Sequence, residues 1–232
     1  MIEIRRSEQR ARFDYGWLLT YRTFSFGDYY DARNMGFRSL RVINEDRIKP
    51  GQGFPMHFYS GMEIFTYVLE GALTHRDTLG NGSVIRAGDV QRMSAGTGVM
   101  HSEYNNSKTD LLHLLQIWIL PADPALQPSY EQKVFPAEEK RNKLRLILSK
   151  DGREGSVTIH QDVNIYTSIL SPAQKVEYSS KIYRYSWVQL IGGSILLNTE
   201  QMNQGDGAAV TKEESLTFTA RDESEFLLFD LA

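Results

Sequence analysis

The sequence predicts an all-β protein of the sandwich or barrel class. Three observations carry this. Short runs rich in β-branched and aromatic residues recur along the chain. Glycine, asparagine and proline punctuate them at intervals of roughly 8–12 residues. Helical signals are thin, the best lying near 129–141.

Residues 63–69 (EIFTYVL) read as a strand that Gly71 breaks, and 72–78 read as the next. Leu79-Gly80-Asn81-Gly82 is a turn, because Gly and Asn tolerate positive φ. Short strands follow at 83–86 and 90–94, separated by Ala87-Gly88-Asp89. The Gly96-Thr97-Gly98 loop leads into a strand at 99–104, and 111–120 is a long, mostly apolar strand. From Pro121 to Pro136 four prolines (121, 124, 128, 136) and no clear period suggest a stiff inter-domain crossing that cannot join a central strand. Strand-like runs then resume at 143–149, 156–160, 164–170, 186–191, 194–198, 207–211, 215–219 and 225–230. Two β-halves imply an internal duplication, with domains at 1–132 and 133–232.

The formal net charge is −3 over 232 residues, and no Lys/Arg block stands out. That argues against direct nucleic-acid binding and against a membrane-surface role. With no cysteine there are no disulfides, thiolate metal sites or cysteine nucleophiles. The N-terminus carries charges where a signal peptide needs an apolar stretch. The longest apolar run, 111–120, is interrupted by His113 and Gln116 and falls short of the ~20 residues a bilayer requires. The expected protein is soluble and cytoplasmic.

Five histidines are present, at 57, 75, 101, 113 and 160. His57 and Tyr59 are two apart, as are His101 and Glu103, so on strands each pair shares a face. About four strands separate the pairs, enough to bring them side by side across a barrel. Two imidazoles and one carboxylate with open positions match the facial arrangement of non-haem Fe(II) oxygenases, and also suit Ni, Mn, Zn or Cu(II). The alternative for His57 and His101 is a pair of hydrogen-bonded core histidines; for Glu103 it is a solvated strand residue. Glu63 either orients a site histidine from behind or is an ordinary strand residue. His75, among polar neighbours, reads as surface; His113 as a satisfied core histidine; His160 as structural and without a partner. There is no phosphate loop and no serine nucleophile elbow.

The stretch from Gly51 to Trp118 resembles the pirin family of double cupins. The resemblance lies in GFPMH at 53–57, GMEIFTYVLEGALTHRDTLGNG at 61–82, GDVQRMSAGTGVMHSEYN at 88–105 and LHLLQIW at 112–118, with SEFLLFDL at 224–231 similar to bacterial members. It implies two cupin (jelly-roll) β-barrels in tandem with one mononuclear metal, in the N-terminal barrel only. It also implies quercetin 2,3-dioxygenase activity on a flavonol and O2, with CO released and Glu103 as the base. Family members also act through protein partners, as regulatory modules, and are often monomeric.

The family's ligand set is three histidines and a glutamate. His57, His101 and Glu103 match it, but Tyr59 stands where the second histidine of His-x-His belongs. A phenol, with a pKa near 10, binds divalent metals poorly unless deprotonated. Three outcomes are open: a three-residue site completed by water, a phenolate on Fe(III), or a weakened, largely empty site. Tyr59 filling space in the barrel, its hydroxyl satisfied by a neighbour, is the bland alternative.

Overall fold

Alternation with period two sets one face of each strand inward. In Val99–Asn105 the buried positions are Val99, His101, Glu103 and Asn105, and the residues between them are wetter. The computed structural model describes all residues, Met1–Ala232. The chain forms two β-barrel units, each made of two antiparallel sheets, as the double-barrel expectation requires. No helix is long and apolar enough to cross a membrane.

The first unit comprises Ala11–Val134 and Val157–Gln161. Its larger sheet runs Ser129–Val134, Asp89–Ser94, Glu63–Glu70, Leu112–Ile119, Leu40–Ile48, Leu18–Arg22, Ala11–Asp14. Its smaller sheet runs Gly53–Tyr59, Val99–Asn105, Ala72–Asp77, Gly82–Arg86. Two apolar groups hold these sheets. One is Leu18, Ile48, Val68, Leu73, Ile85, Leu112 and Leu114, with Trp17 and Phe54 against it. The other is Ile64, Met93, Ala95 and Val99, with Tyr59, Met62 and Trp118. Each fully buried Leu, Ile or Val contributes roughly 1.5–3 kcal/mol, which offsets the cost of the polar side chains the same barrel encloses.

The second unit comprises Met1–Arg10, Phe135–Ser156 and Asp162–Ala232. One sheet carries Ile2–Arg5, Gly207–Val210, Tyr185–Gly192, Ser224–Leu231, Val163–Leu170 and Arg145–Ser149 in that order. The other carries Lys175–Ser179, Ser215–Ala220, Ser194–Leu197 and Glu200–Asn203. Phe218 stacks on Phe226 at 4.4 Å within an aliphatic core.

One expectation is overturned. The 129–141 stretch is not helical, apart from the single turn Ala137–Lys140. Ser129–Val134 is a strand in register with Asp89–Ser94. Its prolines flank it, at 128 and 136, and leave SYEQKV free to donate to a neighbour. It lies at the end of its sheet, where proline-bounded strands are tolerated. Leu40–Ile48 escaped the sequence reading altogether, because Asn44, Glu45 and Asp46 interrupt its apolar pattern although all three are buried.

Candidate metal centre

Strands Gly53–Tyr59 and Val99–Asn105 are directly paired, with His57 opposite His101. The four strands between them in sequence return the chain to this edge. The ladder then shifts, so that Glu103 stands opposite Phe54. Such an irregularity re-aims side chains. Gly53 allows the close approach: a Cβ there would stand 2.2 Å from the Glu103 carbonyl oxygen and 2.5 Å from Tyr104 Cα.

The Nε2 atoms of His57 and His101 are 3.0 Å apart. Two nitrogens each about 2.1 Å from one ion, at right angles, would stand about 3 Å apart. His57 Nδ1 lies 2.6 Å from the Pro55 carbonyl oxygen. Donation of Nδ1–H to that carbonyl leaves the Nε2 lone pair facing His101. Burial, reinforced by His57 and His75, lowers the His101 pKa to about 3, so its ring is neutral and can donate a lone pair.

Glu103 is 2% exposed and accepts a hydrogen bond from Gln116 Nε2 at 2.6 Å. Gln116 Oε1 in turn accepts from Trp118 Nε1 at 3.3 Å. Burial raises the Glu103 pKa to about 7, the Gln116 bond opposing and the nearby Asp46 adding to the rise. Two facing imidazoles and a buried carboxyl fit a divalent transition metal by donor chemistry and by spacing.

The Tyr59 ring packs edge-on against His57 at 4.8 Å, His101 at 5.1 Å and Trp118 at 4.8 Å. Burial, then the Glu103 and Asp46 charges, hold its phenol well above its ordinary pKa. The hydroxyl is therefore neutral at physiological pH, in the form least able to bind a divalent ion.

His75 corrects the sequence reading, which placed it on the surface. It is fully buried, its Nε2 is 3.0 Å from Asp77 Oδ2, and it stands opposite Glu103 in the ladder. His75, His101 and Glu103 each bring one donor atom within 4.8 Å of the others. Polar neighbours Thr74 and Arg76 disguised it. The two-residue spacing of His75 and Asp77 on a strand was the signal available.

Glu63 is 1% exposed and partners His160 Nδ1 at 3.0 Å and Ser94 Oγ at 3.1 Å, not His57 or His101. His160, expected to stand alone, is thus bonded within the first unit. His113 Nε2 meets Glu45 Oε1 at 2.9 Å. A cavity of about 60 Å³ adjoins the centre, lined by His57, Tyr59, Glu103, Phe54, Phe26, Leu18 and a polar wall of Thr20, Arg22, Asn44, Asp46 and Gln116.

Residues 3–119 match the family described as Pirin, and residues 146–231 match the Quercetinase C-terminal cupin domain. The chain is 44% identical over 231 residues to quercetin 2,3-dioxygenase of Escherichia coli strain K12, covering 100% of this chain and 99% of that protein. It is 36% identical over 233 residues to a pirin-like protein of Caulobacter vibrioides, covering 100% of each. The crystal structure of the bacterial pirin YhhW from Escherichia coli in complex with nickel(II) superposes with a TM-score of 0.95 at 43% identity, covering 100% of this chain and 99% of that one.

Proposed function

The chain belongs to the pirin family, and on that premise we propose that its first barrel is a metal-dependent quercetin 2,3-dioxygenase, cleaving a flavonol with O2 and releasing CO. The observation that carries the reading is the facing Nε2 pair of His57 and His101 beside the buried carboxyl of Glu103. These three residues would hold the metal, with Tyr59 outside the ligand set and the His75 ring beside His101 at 5.4 Å, its Nε2 held by Asp77. Fe(II) suits the donor set; nickel, zinc, manganese and copper remain candidates for the same atoms. The bound metal supplies Lewis acidity toward a substrate hydroxyl and open positions for ligands.

The protein's own groups do the rest. Gln116 fixes the carboxylate of Glu103, which accepts the proton of the flavonol 3-hydroxyl. Phe26, Phe54 and Tyr59 give the cavity flat apolar walls that suit a planar ring and exclude water. The cavity is smaller than the roughly 150 Å³ that holds a benzene, so the flavonol presents one hydroxylated edge to it and lies across the mouth. A cytoplasmic, monomeric protein is part of the same proposal.

The experiment is turnover of quercetin in air by protein prepared without nickel resin and loaded with Fe(II) or Ni(II), read as loss of flavonol absorbance and as CO. Activity that disappears in Glu103→Ala supports the enzyme. Tyr59 motivates a second reading, a regulatory protein-binding module with a degenerate centre. Absence of turnover with every metal, in both the wild type and Tyr59→His, would favour that module.

A further inference from the structure

Three buried polar atoms, on residues that line this cavity, have no hydrogen-bond partner: Arg22 Nε, Asn44 Oδ1 and Asp46 Oδ1. Their residues are 7%, 4% and 3% exposed and line the same cavity as His57 and Glu103. Buried polar atoms are nearly always paired, and an unpaired one is costly. Three in one cavity point to a ligand that supplies the missing partners.

Strand register explains the placement. Asn44 stands opposite Arg22 on one neighbouring strand and Gln116 on the other. Asp46 stands opposite Thr20, whose hydroxyl bonds the carboxylate. Asn44 and Asp46 are two apart, so both side chains share a face. Glu103, Gln116, Asn44 and Arg22 therefore follow one another as a polar floor. Arg22 is ordered by other contacts: Nη1 donates to the Phe26 carbonyl at 2.8 Å, Nη2 to the Tyr15 hydroxyl at 3.2 Å, and the guanidinium lies 4.4 Å from the Phe13 ring centroid.

Two unpaired acceptors and one unpaired donor define the chemistry they seek. Hydroxyl groups satisfy both kinds, whereas a cationic ligand would meet the Arg22 charge. We propose that Asn44 and Asp46 are substrate-binding residues that set specificity. Their oxygens accept hydroxyl protons from the edge of the flavonol that enters the cavity, beside the metal-facing 3-hydroxyl, and Arg22 donates to a hydroxyl or carbonyl oxygen of that edge. The site thereby selects polyhydroxylated flavonols over those bearing a single hydroxyl. This inference rests on the flavonol reading of the same cavity.

The test is anaerobic calorimetry of the metal-loaded protein with quercetin and with 3-hydroxyflavone, which keeps only the 3-hydroxyl. Quercetin is expected to bind at least about 10-fold more tightly, since a site built to bond a hydroxyl rejects the analogue lacking it. Asn44→Leu and Asp46→Leu should each shrink that ratio several-fold, the two affinities being compared within each metal-loaded variant so that a change in metal binding affects both ligands alike. Equal affinity of the wild type for both compounds overturns the inference and leaves the dioxygenase reading standing. So does a ratio untouched by both substitutions. Failure of the wild type to bind either compound sinks the dioxygenase reading and the inference with it. The two-ligand comparison on wild-type protein decides the matter even where a variant does not fold.

Discussion

His57 and His101 point their Nε2 atoms at each other across 3.0 Å of paired strands, while Tyr59, two residues along, offers only a neutral phenol beside them. Tyr59→Phe should therefore leave metal stoichiometry within about twofold of wild type. Tyr59→His should raise affinity by about 10-fold or more, because a neutral imidazole is a far better ligand for a divalent ion than a protonated phenol. Elemental analysis after dialysis checks both. Loss of metal in Tyr59→Phe, with a phenolate absorption band in the wild-type Fe(III) protein, would make Tyr59 a ligand after all.

Gln116 touches Glu103 and not the facing histidines. Its replacement by Leu should reduce turnover and metal affinity by about 10–100-fold, the range seen when a ligand loses the partner that orients it. Circular dichroism should stay unchanged. An active Gln116→Leu variant would remove Gln116 from the site's support.

Gly53 is fixed by backbone, since a methyl group there meets the Glu103 carbonyl oxygen and Tyr104 Cα, neither of which can rotate away. Gly53→Ala should separate the two strands that carry His57 and Glu103. Metal binding should fall by more than about 10-fold, against only modest losses for Gly82→Ala, where nothing lies within 4 Å. Equal effects at the two glycines would contradict the close-approach argument.

Burial is the chief cause that raises the Asp46 pKa from its ordinary value near 4 to about 6; the Thr20 bond and Arg22 oppose it. The folded state thus holds this proton more tightly than the unfolded chain. Stability from this group is greatest below pH about 4, declines as pH rises toward 6, and is level above. Asp46→Asn should be the more stable protein at pH 7–8, by at most about 3 kcal/mol, with the difference vanishing below pH about 4. Urea unfolding of metal-free protein at the two pH values measures it. A variant equally destabilised at both would show that the carboxylate is satisfied in the fold.

Arg92, 3% exposed, donates to Thr158 O at 2.8 Å, Ser94 Oγ at 2.9 Å and Ser129 Oγ at 2.7 Å, and pairs with Glu131 at 3.3 Å. It ties Val157–Thr158 and Ser129–Val134 to the same barrel. Arg92→Met should cost roughly 3–5 kcal/mol of stability, because it removes the guanidinium 3.9 Å from the buried Glu63 carboxylate and leaves the Thr158 carbonyl without its donor, although Glu131 keeps Lys133 at 2.8 Å. Denaturant titration reports this. A loss below about 1 kcal/mol would mean that the carboxylates find other partners.

The strands from Glu63 to Ile119 were legible because each alternates or runs apolar between glycine turns, and the predicted segments at 63–69, 72–78, 83–86, 90–94, 99–104 and 111–120 match the observed ones to within about two residues. Leu40–Ile48 was illegible because Asn44 and Asp46 occupy inward, cavity-lining positions that a plain strand would fill with apolar side chains. The strand at 129–134 was hidden by the prolines around it.

What the residues alone determined was the all-β character, the family pattern, and the two short segments on which His57, His101 and Glu103 stand. Alternation and turn chemistry are local, so they survive without coordinates. The burial of His75, the pairing of Glu63 with His160, and the unpaired floor of Arg22, Asn44 and Asp46 were settled only by tertiary structure. A strand declares which side chains share a face. Whether that face meets water, apolar core or a buried polar partner depends on which distant strand closes over it, and no local pattern encodes that.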